Sequence, residues 1–327
     1  MDDNYDMLVN TIPKEDERSY RYYKNRMGSL AEWLTHAGCD WSAPDLARYR
    51  RHLLEERGYA PSTVNSHLSS IRTRYRELLS DGTLEAALKQ RLSNPGDVDS
   101  AIERIKREII SHKLLLKNAR ADIKHIRLKA EHICYLLAAP YRHTALGFRD
   151  AAAFTFLFTT GIRTSELCAL SVEDLYQKHE GQLALHIPFG TGCVERLIPY
   201  GSLDWGLDFI NEWLEGTGIE EGPVFRGFYR GGERLRPNPL SSRALEYALA
   251  AYPVTIDDQQ VSVSPMDLRR AHARLLYEAG FEYEVIKARL GISDNNTFMD
   301  YIGPRHESLD ASPAFDILDR RTWLGQS

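Results

Sequence analysis

Apolar residues recur at spacings of three and four along most of this chain. Only between about Gln182 and Pro199 do they alternate with a period of two. The first period lays apolar side chains along one face of a helix, and the second sends them to one face of a strand. The expected fold class is therefore mainly α with a small β-hairpin, an α+β chain. Glycines punctuate the helical pattern. A first helix is expected to run to about Ala37, with Gly38 as its stop. Ser42-Ala43-Pro44-Asp45 starts a second, striped by Leu46, Tyr49, Leu53 and Leu54. A third begins at Pro61, carries Val64, Leu68, Ile71, Tyr75 and Leu78 on one side, and closes at Gly82. In the alternating region Leu183, Leu185 and Ile187 run in, Gly190-Thr191-Gly192 turns, and Val194 to Ile198 runs back.

A chain of 327 residues suits two domains. Residues 1–18 read as an acidic flexible tail and 19–92 as a helical domain. Residues 93–121 read as a linker, loop-like over 93–100 and then basic and helical. A second domain covers 122–303, with a core around the apolar run from Ala151 to Phe158, and 304–327 form a C-terminal segment. No stretch approaches the roughly 18 apolar residues of a membrane span. The start Met1-Asp2-Asp3-Asn4 is acidic where a signal peptide is basic. Cys39, Cys134, Cys168 and Cys193 form no Cys-x-x-Cys pair, so reduced thiols in a cytoplasmic setting are expected, with no metal. The net charge of -5 argues weakly against a nucleic-acid partner. Its distribution argues the other way. Between Ala101 and Ala130 stand nine Lys or Arg against three acids, Glu103, Glu108 and Asp122.

Three segments carry candidate chemistry. In Thr159-Thr160-Gly161-Ile162-Arg163-Thr164-Ser165-Glu166-Leu167 a Phe-rich helix stops at Gly161 and another starts near Thr164. Arg163 falls in the tight turn between them, either as a solvated surface charge or as an anion-binding group whose geometry Glu166 fixes. In Ser264-Pro265-Met266-Asp267-Leu268-Arg269-Arg270, Ser264 and Asp267 make a capping box with Pro265 at the first helical position. Arg269 lies within a turn of that helix start, where free N–H groups already attract phosphate. Its plainer reading is a local ion pair. His272 falls on the apolar face and reads first as a core histidine. The third segment, Leu290-Gly291-Ile292 through Tyr301, is a helix stop, a polar turn and a short helix. A single tyrosine there is by default a packed aromatic.

In order and spacing the three segments resemble the catalytic domain of the tyrosine recombinase (phage integrase) family. That family shows Thr-Gly-x-Arg-x-x-Glu-Leu, a hairpin bearing Lys, a His-x-x-Arg helix, Leu-Gly-His, and a nucleophilic Tyr nine residues beyond that His. Here Arg163 and Glu166 match, Arg269 matches, Leu290-Gly291 matches, and Tyr301 lies nine residues after Ile292. Arg274 to Gly280, followed by Val285-Ile286, is similar to the helix between the second Arg and the Leu-Gly. Residues 19–82 are similar to the family's core-binding domain. Three positions depart: Met266 and Ile292 stand where the histidines belong, and Thr191 where the Lys belongs.

The resemblance implies that Tyr301 attacks a DNA phosphodiester to give a 3′-phosphotyrosine and a free 5′-hydroxyl. Arg163 and Arg269 would clamp the charge of the transition state, and no cofactor would be needed. With three positions replaced, the candidates for proton transfer nearby in sequence are Arg270, His272, Arg196 and His306. The alternative is an impaired member that binds DNA as an architectural or regulatory partner of an active recombinase. A helical interaction protein with no DNA role is a third reading. The resemblance implies double-stranded DNA as partner, held in a C-shaped clamp of two domains, and tetramers on paired sites, with residues 302–327 packing on a neighbour. Candidate DNA contacts are Ser62, Asn65, Ser66, Arg72 and Arg74 on the third helix. Lys106, Lys113, Lys117, Arg120 and Lys124 are the candidates in the basic stretch. That stretch also reads as a solvated helix face.

Overall fold

The computed structural model describes residues 3–12, 17–110, 116, 126–188, 195–232 and 234–303. Two compact units divide between Lys124 and His125.

The first unit is helical. Helix α1 (Glu17–Ala37) gives way to Gly38 at φ +67°. The Asp45 side chain accepts from the Arg48 N–H and starts α2 (Leu46–Arg51), which runs on into a π turn, His52–Glu56. Helices α3 (Pro61–Ser80), α4 (Thr83–Arg91) and α5 (Pro95–Ile105) follow, and a second π turn covers Lys106–Ile110. The stripe of Val64, Leu68, Ile71, Tyr75 and Leu78 is fully buried against Leu30, Leu34, Tyr49 and Leu53. Two expectations are corrected. Residues 3–12 are not a free tail: Met7, Leu8 and Val9 lie in this core, and Asn4 bonds Thr35 Oγ1 (3.1 Å) and the Trp41 N–H (2.8 Å). The acidic composition of the segment hid three consecutive apolar residues. Residues 93–100 are not a loop either. Asn94 accepts from the Gly96 N–H (3.2 Å) and Pro95 opens α5, so Asn-Pro is a helix start.

The second unit is built around α7 (Ala145–Thr160), buried from Arg149 to Thr160; its Ala and Phe run is apolar on nearly every side, and the paired Arg149 and Asp150 are buried with it. Helices α6 (Ala130–Ala138) and α8 (Thr164–Ala169) flank it in sequence. Strands β1 (Gln177–His179), β2 (Gln182–Ile187) and β3 (Arg196–Pro199) form an antiparallel sheet, with Leu185 opposite Ile198. Helix α9 (Trp205–Thr217) packs on α7. Two further hairpins, β4 (Arg226–Phe228) with β5 (Leu235–Pro239) and β6 (Val254–Ile256) with β7 (Gln259–Val261), frame α10 (Ser242–Ala250). Their strands are short and, apart from Val254, half-buried or exposed, so alternation did not reveal them. Helices α11 (Pro265–Glu278), α12 (Tyr283–Leu290) and α13 (Asn295–Ile302) complete the unit. They enclose a small separate cluster of Ala273, Leu276, Ile286, Leu290, Ile292, Phe298, Tyr301 and Ile302. The mainly helical α+β expectation holds. No helix of the described residues is long and apolar enough to cross a membrane.

Candidate active site

Helix α7 ends on Gly161 at φ +66°, where a Cβ would come within 2.3 Å of the His272 ring, so only glycine fits. Arg163 is the residue before α8, and Glu166 is fixed against it. Glu166 accepts from the Arg163 N–H (2.7 Å) and from Arg163 Nη1 (2.8 Å). Its two oxygens also accept from Arg196 Nη1 (2.9 Å) and Nη2 (2.8 Å) on β3. Burial alone would raise the pKa of this carboxyl. The Arg196 and Arg163 hydrogen bonds and charges outweigh burial and hold it down to about 2.

Helix α12 supplies the other half of the scaffold. Its end is a Schellman turn: the Gly291 N–H donates to the Ala288 carbonyl (3.0 Å) and the Ile292 N–H to the Lys287 carbonyl (2.9 Å). The next three carbonyls each receive an arginine. Arg196 Nε donates to Arg289 O (2.9 Å), Arg269 Nη2 to Leu290 O (2.6 Å) and Arg163 Nη2 to Gly291 O (2.6 Å). A helix C-terminus leaves such carbonyls unpaired and carries the negative end of the helix dipole, so it attracts guanidinium groups. Arg269 Nη1 donates in addition to Gly161 O (2.5 Å), which ties α11 to the Arg163 turn. Arg269 is 1% exposed, and burial lowers its pKa.

Tyr301 lies on α13, which Asp294 caps by accepting from the Thr297 N–H (2.7 Å). The ring is buried in the small cluster. The guanidinium carbons of Arg269 and Arg270 each stand 5.6 Å from its centroid. Arg163, Arg269 and Tyr301 thus belong to one connected assembly, although 138 residues of sequence separate the first from the last.

The remaining expected residues fall differently. His272 is fully buried and accepts from Arg289 Nε at 3.2 Å. Burial, then the Arg289 charge, push its pKa well down, which favours the neutral ring. Arg196 donates from all three guanidine nitrogens, which makes it a brace and not an acid. Arg270 lies 3.6 Å from Asp267 as well as against Tyr301. Met266 is exposed on the first turn of α11. Ile292 is buried in the small cluster, its backbone closing α12. Thr191 and His306 lie outside the described residues.

Two bracing residues were missed or misread in the sequence. Arg289 occupies an apolar position three residues after the buried Ile286. It donates to Pro199 O (2.6 Å), and burial lowers its pKa to about 10. Arg196 shares the inward face of β3 with Ile198, two residues on. In both cases the available signal was a charge at a core-facing position.

On α3, Ser62 is exposed and Arg72 half-buried. The Asn65 side chain is engaged by Leu116, donating to its carbonyl (3.0 Å) and accepting from its N–H (2.8 Å). The Ser66 carbonyl accepts from Arg26 Nη1 (3.0 Å). Arg74 departs from the expectation of a DNA contact. It is 1% exposed, paired with Glu77 (3.2 Å) and bonded to Thr11, because it follows the buried Ile71 at helical spacing. Lys106 is exposed and paired with Glu103 (2.8 Å). Lys113, Lys117, Arg120 and Lys124 lie outside the described residues. Among the described residues no group of three His, Cys, Asp or Glu could hold a metal ion.

The model of the phage integrase family matches residues 127–307, more than half of the chain. A tyrosine recombinase XerD of Chlorobaculum tepidum is 28% identical over 307 residues, covering 91% of this chain and 85% of that protein. Among solved structures, the Tn1549 transposon integrase in complex with circular intermediate DNA is similar with a TM-score of 0.59 at 15% identity, over 97% of this chain and 98% of that one. A lambda integrase tetramer bound to a Holliday junction is similar with a TM-score of 0.56 at 17% identity, over 94% and 78%. At these identities the structures establish the fold alone.

Proposed function

The chain belongs to the phage integrase family, and from that premise we propose that it is a site-specific DNA recombinase with Tyr301 as nucleophile. The observation that carries this reading is the connected assembly of Arg163, Arg269 and Tyr301 on one helix-end scaffold. The Tyr301 oxygen attacks a phosphorus of double-stranded DNA. A bond from that oxygen to phosphorus forms, the bond from phosphorus to the 5′-oxygen breaks, and a 3′-phosphotyrosine results. The phenol proton leaves and the 5′-oxygen gains one. A 5′-hydroxyl of another strand reverses the step, and the conserved bond energy makes a cofactor unnecessary. Two positioned guanidiniums suit the charge that gathers on the phosphoryl oxygens. The assembly in this reading is a tetramer on paired sites, by analogy with the lambda integrase tetramer bound to a Holliday junction.

Met266 and Ile292 offer no titratable atom, and this favours a second reading. In it the chain binds DNA as an architectural or regulatory partner of an active recombinase, which supplies the proton transfer. A nicked suicide duplex separates the two. The enzyme forms an adduct that survives denaturing electrophoresis and disappears in Tyr301→Phe. A protein that binds the duplex tightly, forms no adduct, and binds equally well as Tyr301→Phe fits the partner role and sinks the enzyme reading.

A further inference from the structure

Two titratable side chains beside the candidate site take no part in the proposed chemistry, Arg289 and His272. All three guanidine nitrogens of Arg289 donate. Nη1 donates to Pro199 O (2.6 Å), Nη2 to Thr159 O (3.4 Å) and Nε to His272 Nε2 (3.2 Å). These acceptors lie on three elements. Pro199 ends β3, Thr159 is in the last turn of α7, and His272 stands within α11. The backbone of Arg289 is engaged as well, because its carbonyl accepts from Arg196 Nε (2.9 Å) on β3. This one residue of α12 therefore binds β3 twice, and α7 and α11 once each. His272 is the other half of the arrangement. Its ring holds Arg289 Nε and fills the space against Gly161, where a Cβ would stand 2.3 Å from ring Cδ2. Gly161 O receives Arg269 Nη1 (2.5 Å), and Arg163 follows two residues on.

A guanidinium is planar and its N–H groups form a fixed fork, so acceptors that it binds together are fixed relative to one another. An apolar pair of similar volume would avoid the cost of enclosing a cation, but it would give no directional tie between the elements. The tie falls where direction matters. The end of α7 leads into the Arg163 turn, and β3 carries Arg196, which shares Glu166 with Arg163. We propose that Arg289 and His272 act together as positioning residues, which set the end of α7 and β3 against α12 and so aim Arg163 and Arg269 at the scissile phosphate. In this role neither side chain touches the DNA, and the pair acts through the two arginines. The inference rests on the recombinase reading and adds to it the residues that hold the clamp in place.

The test is single-turnover adduct formation by the full chain on the nicked suicide duplex at saturating protein, with duplex affinity and urea stability measured in parallel. Arg289→Met keeps an unbranched apolar stem and removes the fork. It is expected to slow the adduct by about 10–10²-fold, the cost of a misplaced catalytic group, with duplex affinity unchanged. Arg289→Lys keeps the charge as a single point donor, which cannot serve three elements at once, and its rate is expected to fall between the two. His272→Gln retains an acceptor for Arg289 Nε and is expected to keep most of the rate. His272→Phe retains a ring without an acceptor and is expected to lose it. A wild-type rate in Arg289→Met, whatever its stability, reduces the pair to packing and overturns the proposal. So does a loss confined to duplex affinity. Should Arg289→Met fail to fold, equal rates in His272→Gln and His272→Phe overturn it, and the recombinase reading stands in each of these cases. A wild-type chain that forms no adduct overturns the recombinase reading, and this role with it.

Discussion

The two halves of the candidate site are held by different physics. The arginine half is a hydrogen-bonded lattice. Glu166 joins Arg163 to Arg196, and three carbonyls at the end of α12 receive Arg196, Arg269 and Arg163. The turn beneath it rests on α7 and the large core of the second unit. The tyrosine half is a short helix that shares a cluster of eight buried residues, and its Tyr301 ring lies beneath the guanidiniums of Arg269 and Arg270, each 5.6 Å from the centroid. The first arrangement keeps charge in place before any ligand arrives, as electrostatic stabilisation requires. The second gives Tyr301, the proposed nucleophile, a small support of its own. A segment with few buried apolar contacts opens at lower free energy than the main core.

The largest expected effect separates chemistry from support. Tyr301→Phe removes one oxygen and leaves the ring packed, so the covalent adduct vanishes while duplex affinity is kept. Arg269→Ala is expected to slow adduct formation by about 10²–10³-fold or more, measured in single turnover on the suicide duplex. An adduct rate unaffected by Arg269→Ala would remove the clamp from the mechanism. Next comes the lattice. Glu166→Ala leaves Arg163 and Arg196 without their shared carboxylate and is expected to cost about 3–5 kcal/mol in urea denaturation. A loss within error of zero would mean that the carbonyls of α12 suffice. On the tyrosine side, Phe298→Ala is expected to cost about 3 kcal/mol, felt locally. Amide exchange should quicken over α12 and α13 and stay unchanged in α7. Equal acceleration in α7 would merge the two halves into one cooperative unit.

The smallest effect is the response to acid. The folded pKa of Glu166 is about 2, below the ordinary 4.5. Its contribution to stability is therefore present in full above about 4.5 and lost as pH falls through 2. Glu166→Gln should flatten that limb of the stability–pH curve. An acid limb identical in the variant would show that other carboxylates govern it.

Much of this was legible in the sequence. The stops at Gly38, Gly82 and Gly161, the box of Ser264 and Asp267, and the stripe from Val64 to Leu78 are local signals, set by backbone dihedrals and helical spacing. They appear in the structure where the sequence places them. Arg163 was legible as a corner residue for the same reason. The proton-transfer candidates were not. His272 read first as a core histidine and only second as a candidate, while Arg196 looked available because sequence gives proximity along the chain and not burial. The structure encloses one and engages every guanidine nitrogen of the other. Arg74 failed in the same way, being a charge that the helix face turns inward.

Sequence by itself determined several of the long helices and their glycine stops, and that two arginines and a tyrosine recur in a family's order. Those properties follow from short-range sterics and hydrogen bonding, and they need no knowledge of what packs on what. Tertiary structure alone decided that the end of α12 is the common anchor of Arg163, Arg196 and Arg269. The carbonyls involved belong to the backbone, which every sequence contains. Only the docking of three distant elements reveals which of them are left unpaired and which cations satisfy them.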